Sequence, residues 1–306
     1  MDQMTAVLTA SVSLSVPILL AGLGGLVSER AGVFAIGLEG YMLIGAYTAV
    51  IGSGLGGVWV GLLFGAAGGM AMALVYGVFA IRLRINQVIL AVAVIILAQG
   101  LTTFLNASFL GAERYIQRVP GMNRLAIPLL SDIPVVGRAL FDQWILVYFA
   151  AAASVAIWWF FRRTWSGLTL RGVGENPQAS DTRGIPVIRV QYLAVLFSGF
   201  MAGLGGTVLS LGQLNAFTEN ITGGRGFLAL AAIIFSGWRP TGVIVASFLF
   251  GAADAAQIWV NALDWSVPPE LLVMFPFVLT LVVLTLFVER APHPASLGRP
   301  YVRERR

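Results

Sequence analysis

Six long stretches of this sequence carry no charged residue, and no other feature constrains the fold as strongly. Each reaches or exceeds the roughly 18–20 residues that a helix needs to cross the hydrocarbon core of a bilayer. Only 11% of the chain is charged, against about 25% in a soluble domain. The sequence therefore predicts an all-α integral membrane protein that forms one transmembrane domain over residues 1–306. The uncharged stretches are 3–28, 40–81, 85–112, 143–161, 190–218 and 271–288.

Hydropathy divides these stretches and their surroundings into nine apolar segments, which predict a polytopic helical bundle of about eight to ten transmembrane segments. The seventh, 226–238, is too short for a full crossing. It is typical of a half-helix or re-entrant helix, which is tolerated where protein surrounds it or where it lines a cavity. The nine segments are 4–27, 35–52, 58–81, 87–109, 143–161, 190–212, 226–238, 241–261 and 270–288.

Missing residue types exclude much chemistry. The chain has no cysteine and a single histidine, His293, in the polar tail, so disulfides, thiolate chemistry and a histidine triad or metal cluster within the spans are excluded. All 19 basic residues are arginine, and a P-loop requires a lysine to hold the phosphates. We expect no enzyme activity, cofactor or metal, and any energy from ATP must come from a partner subunit.

The arginines are distributed unevenly between the two sides. Simple alternation of the segments places 14 of them with the loops 28–34, 82–86, 162–189 and 239–240 and the tail 289–306, and five on the other side. Because cytoplasmic loops carry the excess of positive charge, the first side is predicted to be cytoplasmic. The C-terminus is then cytoplasmic, and the basic tail favours contact with anionic lipid or with an ATPase. Nothing in the sequence indicates nucleic acid.

Small residues mark helix contacts. Gly57, Gly61, Gly65, Gly69, Ala73 and Gly77 recur at a spacing of four, which is typical of a packing seam between membrane helices, although the stripe also permits a pore-lining role. The pentapeptide AGLGG occurs at 21–25 and again at 202–206, on segments predicted to run in opposite directions. An inverted repeat, as found in many transporters, or chance in glycine-rich helices explains this match.

Ionisable and amide side chains inside apolar segments are candidates for the translocation pathway. Glu39 and Asp254 are expensive at membrane depth and are expected to face protein or water. Glu39 either lines the pathway, bonds a broken helix or satisfies a neighbouring backbone, and Asp254 is similarly open. Gln99 and Asn106 are seven residues apart and share a helix face, which suits either solute contact or interhelical bonding. Gln213 and Asn215 are predicted at the external mouth of the pathway, in a segment that stays external as far as Arg225, and Asp254 is predicted near the external end of its helix.

A polar stretch, RGVGENPQASDTRGIP at 171–186, interrupts the apolar chain. Asn176 suits a helix N-cap and Pro177 a first helical turn, while Gly184 before Ile185 is a plausible helix end. The sequence therefore predicts a short helix near 178–183 on the cytoplasmic side, with an ordinary solvated loop as the alternative.

Three motifs together carry a family resemblance: SERAG with IGLEG inside 17–47, LRGVGENPQASDTRGIPV, and PASLGRPY at the start of the tail. The combination resembles the permease subunits of bacterial ABC importers for nucleosides and simple sugars, within the superfamily of ribose and branched-chain amino-acid permeases. It covers nearly the whole chain from residue 17 onward. The resemblance is closer to the nucleoside branch than to the ribose branch.

The resemblance implies an inner-membrane complex with a cytoplasmic ABC ATPase, an external substrate-binding lipoprotein and a second permease subunit, commonly a different chain. The polar stretch would be the element that docks on the ATPase and transmits its closure. The coupling residues implied are Arg171, Gly174, Glu175, Asn176, Pro177, Ala179, Asp181, Gly184 and Ile185.

Two functions from different classes remain. The first is the permease subunit of an ABC importer that moves a nucleoside, a purine or a simple sugar inward by alternating access. The second is a self-sufficient secondary transporter with Glu39 or Asp254 as a proton-coupling carboxylate. That transporter would need no coupling element, and a proton relay usually requires more buried ionisable groups than these two.

Overall fold

The fold is a bundle of long apolar helices. The computed structural model describes residues 2–110, 119–128, 136–262 and 293–302, and the single positions 274, 278, 282 and 285. The eleven helices of the described chain are α1 Asp2–Arg30, α2 Leu38–Gly56, α3 Val58–Gly77, α4 Gln87–Leu110, α5 Val136–Phe141, α6 Ile145–Arg163, α7 Trp165–Glu175, α8 Pro177–Thr182, α9 Val187–Thr207, α10 Arg225–Phe235 and α11 Pro240–Ala262.

Two of the long helices end in a π-helical segment, Val78–Arg82 after α3 and Val208–Leu214 after α9. With these extensions, six helices of the described chain are long and apolar enough to cross a membrane. The all-α polytopic membrane fold is thus confirmed. The ninth apolar segment, 270–288, lies mostly outside the described residues.

Two further helices, α2 and α10, belong to the bundle although neither meets the length and hydropathy expected of a membrane span. Helix α2 has 19 residues and buries 14 of them, including Glu39, because other helices surround it. Helix α10 has only 11 residues, as expected for the short seventh segment. The turn between α2 and α3 is a single residue, Gly57, whose φ of 81° suits glycine.

The glycine stripe of α3 is a packing seam. A Cβ atom on Gly61 would lie 2.9 Å from the carbonyl oxygen of Ala49 in α2, and one on Gly69 would lie 2.7 Å from the Cα atom of Gly203 in α9. These backbones approach too closely for any side chain. Of the two alternatives for the stripe, the structure supports packing.

Gly69→Ala is therefore expected to destabilise the folded protein, whereas Gly100→Ala is the matched control on α4. The added methyl group at 69 meets only backbone of α9, so α3 and α9 must separate, at a cost of about 1–3 kcal/mol. Nothing lies within 4 Å of a Cβ atom at 100, and alanine there gains about 0.5–1 kcal/mol of helix propensity. Thermal unfolding midpoints in detergent will show opposite shifts; equal shifts would contradict the seam.

The two AGLGG pentapeptides face each other across the interface of α1 and α9. A Cβ atom on Gly24 would lie 2.7 Å from that of Met201, and one on Gly205 would lie 2.8 Å from the carbonyl oxygen of Pro17. At the other end of the pair, Gln191 donates to the carbonyl oxygen of Ala31, so the helices are antiparallel. The repeated sequence thus has a packing role, while an inverted repeat stays a prediction.

The structure also contains one small pair of antiparallel strands, which the all-α prediction did not include. Strand β1, Arg124–Ala126, pairs antiparallel with β2, Asp142–Trp144. Between them in sequence lies α5, and Gln143 of β2 is fully buried and accepts a hydrogen bond from Ser13 Oγ at 2.8 Å. The pair caps the bundle at the end opposite Arg30.

Candidate functional site

Helix α10 begins inside the bundle rather than at its surface. Asp254 follows Pro240, the first residue of α11, by 14 residues, or about 21 Å of helix. Asp254 forms a salt bridge of 3.2 Å with Arg225, the first residue of α10. The hydrocarbon core is about 30 Å thick, so α10 starts well within it. The short seventh segment is therefore a half-helix, as the sequence predicted.

Glu39 holds the N-terminus of this half-helix. Its Oε1 accepts hydrogen bonds from Thr222 Oγ1 at 2.6 Å and from the Gly224 N–H at 2.9 Å, and its Oε2 accepts one from the Gly226 N–H at 2.7 Å. Only 2% of Glu39 is exposed. A carboxylate at this position satisfies N–H groups that no helical carbonyl can reach and is attracted by the positive end of the helix dipole.

The approach between Glu39 and α10 leaves no room for a side chain at Gly226. A Cβ atom there would lie 2.5 Å from the Cα atom of Glu39 and 2.7 Å from its Oε2. Of the alternatives for Glu39, the geometry supports a bond to a broken helix. A role of Glu39 in the pathway stays a prediction.

Asp254 is partnered in the same region. Its carboxylate meets Arg225 Nη2, and the two side chains are 12% and 23% exposed respectively. The sequence analysis placed Arg225 on the external side and Asp254 near the external end of its helix. The first placement was wrong, because the chain after Asn215 turns back into the bundle and carries Arg225 to the depth of Glu39 and Asp254.

The four amide candidates are separated by the structure. Gln99 is exposed. Asn106 points in a direction about 20° away around the helix axis, but it is buried, and its Oδ1 has no partner in the described chain. The buried face of α4 runs along the whole helix, through Ala91, Ala98 and Thr102, and Gln99 lies at its exposed edge. Asn215 ends the π-helical segment with a φ of 53°, and its carbonyl accepts from Val119. Gln213 Nε2 is buried without a partner in the same part of the described structure.

Several buried hydroxyl groups point into the bundle without a partner among the described residues. They belong to residues of α2, α9, the following π-helical segment and α11. An unmade hydrogen bond costs about 1–3 kcal/mol when buried, so these groups are available to water or to a polar solute. They are Tyr41, Tyr47, Ser198, Ser210 and Ser247.

The three sequence motifs meet at the other end of the bundle, in a cluster that we name the junction: residues 28–35, 173–175 and 294–298. The Gly298 N–H donates to the Gly32 carbonyl at 3.1 Å, and the Ser296 N–H donates to the Gly174 carbonyl at 3.0 Å. The Ala295 N–H donates to Glu175 Oε2 at 3.2 Å. The tail is therefore fixed to α7, and Gly174 and Glu175 have structural contacts that the sequence analysis did not foresee.

A second buried carboxylate supports the junction. Glu29 accepts from Trp238 Nε1 at 2.6 Å and from the Ala35 N–H at 3.2 Å, and it is 1% exposed. Arg30 donates to the Trp238 carbonyl through Nε at 2.9 Å and Nη2 at 2.6 Å. Sequence reasoning missed Glu29 because it assigned 28–34 to a loop; its place in the SERAG motif was the available signal.

The short helix predicted in the polar stretch is present as α8, so the loop alternative was wrong. Asn176 caps it by accepting from the Ala179 N–H at 2.9 Å, and Pro177 occupies its first turn. Gly184, with a φ of 81°, follows its end. Pro177 and Ser180 face inward, while the surface toward solvent is formed by Glu175, Asn176, Gln178, Ala179, Thr182 and Arg183.

These features define a class: a polytopic membrane protein with an intramembrane half-helix and an exposed, capped helix at its arginine-rich end. The chain matches the model of the family described as branched-chain amino acid transport system / permease component over residues 7–284. It belongs to that family.

Curated relatives match over nearly their full lengths. The Guanosine ABC transporter permease protein NupQ of Bacillus subtilis (strain 168) is 36% identical, over 99% of this chain and 98% of the relative. The Nucleoside ABC transporter permease protein NupC of Lactococcus lactis subsp. cremoris (strain MG1363) is 34% identical, over 95% of both. The Putative glucose ABC transporter permease protein TsgC13 of Haloferax volcanii is 36% identical, over 97% of both. No solved structure matches the chain.

The resemblance recognised in the sequence is thereby confirmed. The chain is a multi-pass, non-catalytic permease subunit of an ABC transporter. The comparisons support this function over a self-sufficient proton-coupled transporter. The geometry agrees, because both candidate proton carriers, Glu39 and Asp254, are engaged by fixed donors.

Proposed function

We propose that this chain forms the translocation pathway of an ABC importer that moves an uncharged nucleoside or a related small polar solute inward. ATP hydrolysis on a separate subunit drives the movement. The observation that carries the proposal is α8, a capped helix exposed at the arginine-rich end of a chain that matches nucleoside permeases throughout its length.

Helix α8 is placed to transmit a movement of the ATPase to the transmembrane helices. Its inner residues Pro177 and Ser180 are buried, so a partner that presses on the exposed face moves α8 as a unit. Val173, just before it, packs with Val187 of α9 and Tyr301 of the tail. A displacement of α8 is thereby delivered to α9, which packs against α1, α2 and α3 in the centre of the bundle.

The arginine-rich end is cytoplasmic in this proposal. Alternation of the segments assigns four loops and the tail, with 14 of the 19 arginines, to this side, and the positive-inside rule assigns such loops to the cytoplasm. The ATPase then docks at residues 171–186, the C-terminus is cytoplasmic, and the substrate-binding lipoprotein docks at the opposite end of the chain. A second permease subunit completes the pathway and the complex in this proposal.

The charges inside the bundle favour an uncharged solute. A half-helix N-terminus within the membrane attracts anionic groups in many transporters, but Glu39 already occupies it here. Arg225, the cation beside it, is paired with Asp254. Since neither charge is open, recognition falls to hydroxyl and amide groups, which suit the sugar and base edges of a nucleoside. Asn106, Gln213, Asn215 and Gln99 remain candidates for that contact.

A solute panel tests the function. In proteoliposomes that hold the complete complex of this chain with its ATPase, second permease and binding protein, ATP hydrolysis is measured with guanosine, adenosine, ribose, glucose, guanosine monophosphate and leucine. We expect stimulation by an uncharged nucleoside and none by the monophosphate or the amino acid. Stimulation by leucine alone would contradict the proposal.

A further inference from the structure

Four arginines converge on a cavity of about 290 Å³ that neither the half-helix nor α8 uses. Arg30 ends α1, Arg162 lies in the last turn of α6, Arg171 lies in α7, and Arg239 precedes α11. Aromatic side chains complete the lining, with Trp158 and Phe161 from α6 and Trp238 from the loop before α11. Helix ends from distant parts of the chain thus concentrate positive charge in one small space.

This charge is not compensated by the described part of the chain. No carboxylate there forms a salt bridge with any of the four arginines, and Arg171 Nε is buried without a hydrogen-bond partner. Arg30 is repelled by Arg171 and Arg239 and attracted by Glu175. Glu175 also accepts from Ala295, and it does not line the cavity. Among the described residues, the site therefore holds more positive charge than the neighbouring carboxylates balance.

The cavity lies at the level where a bilayer presents its head groups. It is bounded by the last turns of two membrane spans and the first turn of a third. The Arg162 guanidinium lies over the Trp158 ring, 5.3 Å from its centroid, and tryptophan is enriched at this interface. Basic pockets between transmembrane helices are suited to phosphate-bearing lipid head groups.

We propose that this cavity binds the phosphate group of one anionic phospholipid per chain. Guanidinium groups recognise phosphate through paired hydrogen bonds, and about 290 Å³ accommodates a phosphate with its glycerol but no drug-sized ligand. The bound lipid would join α1, α6, α7 and the start of α11 beside the junction. The inference goes beyond the transport function, because it assigns a structural ligand to a site outside the solute pathway.

Lipid binding to the full chain in detergent tests the proposal. Native mass spectrometry would follow titrations with phosphatidylglycerol, with phosphatidylcholine and with inorganic phosphate. We expect one tightly retained phosphatidylglycerol, weaker phosphatidylcholine by at least tenfold, and no displacement by millimolar phosphate. The double variant Arg162→Gln with Arg239→Gln should lose at least tenfold in affinity, while Arg162→Lys with Arg239→Lys, which keeps the charge but not the paired hydrogen bonds, should lose less.

The matched control removes two exposed charges from the same end, Arg82→Gln with Arg163→Gln, which do not line the cavity. It should bind phosphatidylglycerol as the unchanged chain does. Equal losses in both double variants would show that only overall charge matters and would overturn the proposal. Equal affinity for the two lipids, or full displacement by free phosphate, would overturn it as well. If the double variant Arg162→Gln with Arg239→Gln does not fold, the comparison of phosphatidylglycerol with phosphatidylcholine on the unchanged chain still tests the proposal.

Discussion

Glu39→Ala is expected to abolish transport and to destabilise the folded permease by about 3–5 kcal/mol. The substitution removes a buried acceptor that satisfies Thr222 and the N–H groups of Gly224 and Gly226. Hydrogen bonds to charged groups contribute about 1.5–3 kcal/mol each, and donors left unmade in the bundle retain their desolvation cost. The N-terminus of α10 then lacks its anchor within the membrane.

The measurement is thermal unfolding of the purified chain, together with uptake by the assembled complex. Glu39→Gln keeps the shape but offers one acceptor oxygen instead of two, so we expect an intermediate loss. Thr222→Val removes a single bond and should cost about 1–3 kcal/mol. The control is Glu219→Gln, which neutralises an exposed carboxylate and should leave the unfolding midpoint unchanged. Glu39→Gln with unchanged stability would contradict the anchoring role.

Ser180→Pro is expected to eliminate solute-stimulated ATP hydrolysis and uptake while the chain still inserts into the membrane. The Ser180 N–H donates to the Asn176 carbonyl at 3.1 Å, the first backbone bond of α8, and a proline there removes it and clashes with that carbonyl, at a cost of about 3 kcal/mol. Proline at Ala179 would be less informative, because the Ala179 N–H bonds the Asn176 side chain instead.

The control for Ser180→Pro is Ser180→Ala, which keeps the backbone bond and loses only the hydroxyl contact to the Asn176 carbonyl. We expect mild effects from it. Binding-protein docking at the opposite end should survive in both variants. Normal uptake by Ser180→Pro at normal expression would show that α8 does not transmit ATPase closure.

The sequence predicted the features that depend on residues close together in the chain and on the exclusion of charge from the bilayer. Uncharged runs located the spans because unpaired backbone and charge are excluded from hydrocarbon. Asn176, Pro177 and Gly184 predicted α8 because caps act over three or four residues. The length of 226–238 indicated a half-helix because 11–13 residues cannot span the membrane.

What could not be predicted depends on contacts between distant segments. Glu39 and the loop before α10 are separated by 183 positions or more, and no local pattern specifies that pairing. Glu29 was missed because its partner, Trp238, follows 209 positions later. Arg225 was misplaced because strict alternation of spans does not anticipate a chain that turns back into the bundle. At the junction, a Cβ atom on Gly32 would lie 2.8 Å from Ser296 Oγ of the tail, and one on Gly174 would clash with the Arg30 carbonyl, and no local pattern specifies either contact.

We expect this chain to carry a solute only when a partner hydrolyses ATP. The most direct measurement is uptake of radiolabelled guanosine into proteoliposomes that contain the complete complex, compared with proteoliposomes that contain this chain alone under an imposed proton gradient. We expect ATP-dependent uptake by the complex, no effect of collapsing the gradient, and no uptake by the chain alone. Gradient-driven uptake by the isolated chain, without ATP, would contradict it.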